Sequence, residues 1–439
     1  MRRAVTGAAW AVVYLLAATA PLFLMLVGDA PPGRGWLLDV SVALGFIGLA
    51  MLGLQFALTA RFNAVDSSYG LDVVLRFHRE ISTVALVMIV AHPVLIFVDR
   101  PERLRLLNVI EADWQARAGV ASLTLLLVII VQSLWRQRLR LSYEVWRITH
   151  GLLALGIVGM ALWHIMLVDY YVSGPWRRGL WLAMSVAILG LMGYIRVIKP
   201  WQLLRAPWRV RSLEELPGRT WNVWLEPEGH DGLRFAPGQF AWLTVDSSPF
   251  GIREHPFSIS SSAEEHARIR LTIKELGDFT NRIGQLEPGT RAHLDGPYGA
   301  FSYERGQAEA FVFLAGGSGV TPMLSMLRTM RDRGDRRPVW LFYANPTWDD
   351  ASMRDELEEL RDELELELIH VLEEPFEGWD GPVGLLDGEL LAAHLPEGAE
   401  RYAYFICGPD PMMDAVEQVL EERGVPLEQQ HYERFDFID

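Results

Sequence analysis

Cysteine is almost missing from this sequence: Cys407 stands alone in 439 residues. No disulfide framework, cysteine zinc site or four-cysteine iron–sulfur cluster can be built from it, so any one-electron carrier needs other ligands. Charge is missing from six stretches, which contain no Asp, Glu, Lys or Arg: residues 4–28, 40–60, 81–98, 118–135, 148–168 and 179–195. Each approaches the ~20 residues that a helix needs to cross ~30 Å of hydrocarbon, although the shortest are marginal on that count. Six such runs predict a six-helix membrane bundle over residues 1–200 rather than a set of buried globular helices. Positive charge is scarce in the remainder. Residues 201–439 carry 22 Lys+Arg against 44 Asp+Glu, whereas residues 1–200 carry 18 against 11. An acidic second half repels phosphate backbones and excludes nucleic acid as a partner.

What is present begins with orientation. Arg2, Arg3, Arg136, Arg138, Arg140, Arg147, Arg196 and Lys199 fall on one side of the expected membrane. Arg100, Arg103, Arg105, Arg117, Arg177 and Arg178 fall on the other, beside several acids. The first side is assigned to the cytoplasm, giving a multi-pass protein of the plasma (inner) membrane with its second half inside the cell. Ala18-Thr19-Ala20 raises the alternative of a cleaved signal peptide. The 25-residue uncharged run and Pro21 directly after that site favour a retained helix.

Four of the 11 histidines lie in the membrane half: His78 and His92 on the third helix, His150 and His164 on the fifth. Both spacings are 14. Fourteen residues fall ~40° short of four full turns and rise ~21 Å, so each helix points two imidazoles along one stripe near opposite membrane faces. Both helices are odd-numbered and therefore parallel. His78 is expected to face His150, and His92 to face His164. Two opposed imidazoles suit the axial positions of a haem iron, giving two haem b groups with no open site. The competing reading makes each histidine a packing or proton-relay residue.

From about Trp208 the pattern changes to short strands, Thr220 to Leu225, Gly238 to Val245 and Arg268 to Leu276, which predict an antiparallel β-barrel over residues 201–306. From about Glu309 strands alternate with helices, predicting an α/β parallel-sheet domain over residues 307–439. There the strand Phe311 to Ala315 runs into Gly316-Gly317-Ser318-Gly319-Val320-Thr321-Pro322 and a helix from Met323 to Met330. Glycines that admit an anion, Thr321 as a cap and Pro322 in the first turn together suggest a pyrophosphate seat. Cys407-Gly408-Pro409 follows a later strand, at the edge where open parallel sheets bind ligands, with a helix from Met412. A lone buried cysteine is otherwise just a small hydrophobe.

Several local sequences resemble the ferredoxin-reductase superfamily of flavoproteins, and specifically its membrane branch of ferric reductases and NADPH oxidases. They are Pro237-Gly238-Gln239-Phe240, His255-Pro256-Phe257-Ser258, and Gly277-Asp278-Phe279-Thr280 followed by Gly296-Pro297-Tyr298-Gly299. The resemblance implies FAD as a cofactor, with Phe257 packed on the isoalloxazine and Ser258 near its reactive nitrogen. His255 and Thr280 would touch the pyrophosphate, with Pro256 and Gly277 in the same motifs. His255 stands where soluble relatives carry Arg, as is usual in the membrane branch. Cys407, Gly408 and Pro409 would lie beside the nicotinamide, and Phe435 or Phe437 would cover the flavin. Many relatives show Asn-Arg after the strand Val339 to Tyr343, where this chain has Asn345-Pro346 followed by Asp349 and Asp350. That loss of an Arg leans toward NADH over NADPH, although Arg354 stands close enough in sequence to compensate.

The resemblance therefore implies a membrane α-helical six-helix bundle followed by a flavin barrel and a nucleotide domain. Electrons from cytoplasmic NADH or NADPH would pass by way of the flavin and two haems to a small acceptor outside. NADPH oxidases place a further His one turn after the outer ligand. Ile96 occupies that position here, favouring a ferric chelate over O2. Membrane lipid and the nucleotide are the other expected partners, with no obligatory protein partner evident. The alternative class is a transporter or quinone-linked membrane anchor carrying a regulatory flavin domain.

Overall fold

The computed structural model describes residues 2–25, 27, 31–61, 70–396 and 398–435. The chain divides into two compact units, Met1–Lys199 and Pro200–Asp439.

The first unit is helical: α1 (Arg2–Met25), α2 (Trp36–Leu58), α3 (Leu71–Asp99), α4 (Trp114–Leu134), α5 (Tyr143–Val168) and α6 (Pro175–Gly193). All six are long and apolar enough to cross a membrane. Several exceed the uncharged runs that announce them; α3 has 29 residues. Charged residues such as Arg76, Arg79 and Glu80 stay helical because their long side chains reach water at the membrane surface. His78 therefore lies on α3 although it precedes that helix's uncharged run. Lipid-facing side chains such as Leu16, Val87, Val186 and Leu189 are largely exposed. α2 packs closely against α3 through Gly48, where a Cβ would stand 2.6 Å from Ile89 Cγ1. Across the other hairpin, the Ser122 hydroxyl donates to Ile157 O at 2.9 Å.

The second unit opens within a short helix, α7 (Lys199–Arg205), and holds two sheets. The first contains β1 (Trp208–Leu216), β2 (Thr220–Pro227), β3 (Phe240–Val245), β4 (His255–Ser258), β5 (Ile269–Lys274) and β6 (Arg291–Tyr298) in the order β4-β3-β6-β1-β2-β5. All its pairings are antiparallel, and a bridge between Ile259 and Leu271 brings β4 back to β5. The sheet thus closes on a core that includes Val223, Leu225, Leu243, Ile269 and Leu271.

The second sheet is wholly parallel, with β7 (Phe311–Gly316), β8 (Val339–Asn345), β9 (Leu366–Leu372), β10 (Ala403–Cys407) and β11 (Gln430–Glu433) in the order β11-β10-β7-β8-β9. Alternate residues of β7 supply the two faces. Phe311, Phe313 and Ala315 pack with α8 (Val320–Arg333) and α9 (Arg354–Glu363). Val312 and Leu314 pack with α10 (Gly388–His394) and α11 (Asp410–Glu422). The chain leaves β7 toward β8 on one side and returns to β10 on the other, so a switch point opens at the carboxyl ends of β7 and β10.

Helix α8 begins earlier than its sequence suggests. A 3-10 turn, Gly317–Gly319, feeds straight into it without an extended residue, so Thr321 lies inside the first turn instead of capping it. α11 likewise starts at Asp410, because Pro409 is extended and Pro411 suits the first turn.

A buried ion cluster ties the two sheets of this unit together. Arg270 of β5 donates to both Glu356 carboxylate oxygens, at 3.2 and 3.0 Å, and Arg328 of α8 pairs with the same Glu356. Both arginine side chains are almost wholly buried. Glu356→Leu, which strands two buried cations, should destabilise this unit by about 3–5 kcal/mol in a denaturation measurement on the full chain.

Candidate functional site

Four imidazoles meet in pairs within the helical unit. The rings of His78 and His150 lie 6.4 Å apart between centroids, and those of His92 and His164 lie 6.3 Å apart. A metal–imidazole bond is ~2.0 Å, and the ring centroid sits ~1.2 Å behind its nitrogen. Two imidazoles on opposite sides of one metal therefore have centroids about 6.4 Å apart. Both pairs have that separation.

The second nitrogen of each ring explains how the rings are aimed. His92 Nδ1 donates to Ser41 O at 2.9 Å, and His78 Nδ1 to Gln55 Oε1 at 2.7 Å. His164 Nδ1 donates to Gln115 O at 2.7 Å, and His150 Nδ1 faces Ser133 Oγ at 3.2 Å. The Ser133 proton goes to Ile129 O at 2.8 Å, so its lone pair faces the ring. Each α3 histidine is thus held from α2, and each α5 histidine from α4. With the proton fixed on Nδ1, the Nε2 lone pair is left for a metal. Among the described residues, no cluster of three or more His, Cys, Asp or Glu could hold a bare ion. Each pair suits a metal that brings its own equatorial ligands, as haem iron does.

Ser41, Gln55, Gln115 and Ser133 were not singled out in the sequence. One signal was available: Ser41 and Gln55 are 14 apart, the same spacing as the histidines they hold. Glycines also make room, since a Cβ at Gly45 would lie 3.2 Å from His92 Nδ1 and one at Gly119 would lie 3.0 Å from His164 Nδ1.

In the second unit an open cleft of about 720 Å³ is lined by Phe240, Pro256, Phe257, Ser258, Lys274, Thr321, Glu433 and Phe435, with Thr272, Leu276, Thr280 and Ser318 among the others. The Ser258 hydroxyl is buried and makes no hydrogen bond within the protein. An orphaned donor aimed into a cleft costs free energy unless a ligand meets it. The His255 ring stacks on Phe279 at 4.0 Å, and the Phe257 ring lies near-parallel to the same Phe279 at 6.1 Å. The Thr280 hydroxyl accepts from the Leu276 and Gly277 amides at 2.9 and 2.8 Å, so it shapes the Gly277 turn at the cleft edge. Gln239 is structural: its Nε2 donates to Gly299 O at 3.1 Å and its Oε1 accepts from the Ala236 amide at 2.8 Å. Phe437 lies outside the described residues.

The two glycine motifs meet at the switch point. A Cβ on Gly319 would fall 2.1 Å from Cys407 O, and one on Gly316 would fall 2.7 Å from Pro409 Cδ and 3.4 Å from Gly408 Cα. Only glycine lets the β7 turn lie flat on the end of β10, which brings Gly316, Gly317 and Gly319 together with Cys407, Gly408 and Pro409. Cys407 itself is fully buried in the apolar core, and burial pushes its thiol well above the ordinary range. Lys274, at 3.0 Å from Asp350, is a cleft residue that sequence reading missed.

Three family descriptions match this chain. They are "Ferric reductase like transmembrane component" over residues 44–161, "FAD-binding domain" over 222–302 and "Oxidoreductase NAD-binding domain" over 313–418. The first spans His78, His92 and His150 and ends three residues before His164. The chain is 35% identical over 180 residues to NADH–cytochrome b5 reductase 1 of Arabidopsis thaliana, covering 40% of this chain and 64% of that protein. It is 30% identical over 237 residues to the propane 2-monooxygenase reductase component of Rhodococcus jostii, covering 52% and 62%. NADH-cytochrome b5 reductase 1 of Lodderomyces elongisporus is 32% identical over 203 residues, covering 45% and 67%. The chain spans a little under two thirds of the first two relatives' length.

Two outcomes follow from this geometry. Gly319→Ala forces the two motifs apart, and should cost on the order of 10²-fold in kcat/KM for nicotinamide-driven flavin reduction in stopped-flow absorbance. Cys407, as a buried thiol with a raised pKa, should resist iodoacetamide at pH 7–9 in the folded chain and react on unfolding; mass spectrometry reads the adduct.

Proposed function

Because the chain belongs to the ferric reductase and NADPH oxidase superfamily, we propose that it carries electrons from NAD(P)H across the membrane to a small acceptor, foremost a ferric chelate. FAD and two b-type haems are its resident cofactors in this reading. The observation that carries it is the pair of opposed imidazole couples at 6.3 and 6.4 Å, each with its outer nitrogen already engaged.

When bound, these groups supply the redox chemistry, the flavin linking two-electron donors to one-electron irons. The chain's own residues supply position. His78 with His150 would hold one iron and His92 with His164 the other, the two histidine levels being about 21 Å of helix rise apart. Phe257 and Phe435 would border the flavin ring, with the Ser258 hydroxyl donating to it. Gly316, Gly317, Gly319 and Thr321 would seat the nucleotide pyrophosphate, while Cys407, Gly408 and Pro409 wall the nicotinamide side through backbone rather than thiol chemistry. Residues 1–200, 201–306 and 307–439 are the corresponding haem, flavin and nucleotide domains. The Arg2, Arg3, Arg136–Arg147 and Arg196–Lys199 side is taken as cytoplasmic on its excess of positive charge.

NADH is the favoured donor. Arg354, the first cation in sequence after β8, donates to Trp348 O at 2.6 Å and faces the carboxylates of Asp349 at 3.9 Å and Asp355 at 3.7 Å. A 2′-phosphate arriving there meets acid rather than a spare guanidinium.

The test uses the full chain in sealed vesicles with ferric chelate on the far side. NADH should drive chelate reduction that superoxide dismutase does not inhibit. His92→Ala should abolish it and leave NADH-dependent flavin bleaching within about twofold of wild type. Reduction that dismutase suppresses would instead assign O2 as the acceptor, and a colourless helical unit would contradict electron transfer altogether.

A further inference from the structure

The two histidine couples are held by different chemistry. At the His92–His164 level the acceptors on Nδ1 are main-chain carbonyls, Ser41 O and Gln115 O, with Ser41 Oγ a further contact at 3.0 Å. At the His78–His150 level both are side chains, Gln55 Oε1 and Ser133 Oγ. A carbonyl of the backbone is fixed by the fold, whereas a side-chain acceptor is a choice of residue. Gln55 is also buried at 7% exposure, and its Nε2 has no protein partner. The amide is oriented by the imidazole: Oε1 accepts the Nδ1 proton, and the opposite orientation would move that proton to Nε2 and block a metal there. Gln55 therefore spends its carbonyl on His78 and leaves its own amide protons unmatched inside the membrane unit.

We propose that Gln55 and Ser133 are positioning residues for the His78–His150 iron, fixing the tautomer of its ligands and setting its potential independently of the His92–His164 iron. This rests on the bis-histidine haem reading above. An acceptor on Nδ1–H makes the imidazole more basic and favours the ferric state; losing it makes the iron easier to reduce. Gln55→Leu removes the acceptor while keeping similar bulk. Gln55→Glu keeps an acceptor and adds negative charge. The two substitutions must therefore move the potential in opposite directions, which packing damage alone would not do. Ser133→Ala should act in the same direction as Gln55→Leu and more weakly, since its contact is longer, 3.2 against 2.7 Å.

The experiment is a redox titration of the purified full chain, followed at the haem α-band and resolved into two one-electron components. Gln55→Leu is expected to raise the ferrous-to-ferric ratio of one component about tenfold at fixed potential, an upward shift of ~59 mV for one electron. Gln55→Glu should shift that same component down, and the other component should stay in place in all three variants. Should Gln55→Leu lose its haem, the opposed shifts of Gln55→Glu and Ser133→Ala carry the comparison. Both components moving together, the two Gln55 variants moving the same way, or neither moving with both haems present would each overturn the assignment. Wild-type protein without two b-type haems would contradict the bis-histidine reading itself, a result distinct from any of these.

Discussion

The fold of the helical unit turns on a constraint that oil imposes on imidazole. A ring inside hydrocarbon has two nitrogens to satisfy and no water to do it. Here one nitrogen of each ring is met by the neighbouring helix, from Ser41, Gln55, Gln115 or Ser133. The other is left to a ring whose centroid lies 6.3 or 6.4 Å from that of an opposing histidine, a gap that one liganded metal would span in the proposed reading. Close approach between α2 and α3, and between α4 and α5, is what makes this possible. Gly45 and Gly119 keep side-chain volume away from the rings that those helices hold. Small residues at these interfaces thus serve the aim of the imidazoles as well as packing.

The second unit solves a different problem with the same device. An anionic dinucleotide needs backbone amides, and amides can approach it only where side chains are absent. Gly316 and Gly319 accordingly leave room for Gly408, Pro409 and Cys407 O, so two segments about ninety residues apart form one surface. Cys407 contributes its carbonyl and its small size to that contact; its thiol is sealed in the core. The Arg270–Glu356–Arg328 cluster then holds the barrel against the parallel-sheet domain, with both guanidinium groups buried.

Much of this was legible in the residues. Uncharged runs announce the six helices, and the repeated spacing of 14 announces which imidazoles meet, because helical period and rise are nearly invariant. Helix ends were less legible: α3 continues past its uncharged run through Arg76, Arg79 and Glu80, since charged side chains can leave the membrane while their backbone stays helical. Thr321 reads as a cap from its sequence, yet lies within the first turn of α8, because a preceding 3-10 turn has no distinct local signature. The acceptors on Nδ1 were hidden for a deeper reason. Two of them are backbone carbonyls, which no residue type marks, and the other two depend on the register between antiparallel helices.

The central claim is that each histidine couple binds one iron through both rings. Low-temperature EPR of the oxidised, purified full chain tests it directly. The account predicts two low-spin ferric signals of bis-imidazole type in equal amount, one lost on replacing His78 and the other on replacing His164. A single signal, a high-spin ferric signal in the native chain, or one replacement that removes both signals in a folded chain would contradict it.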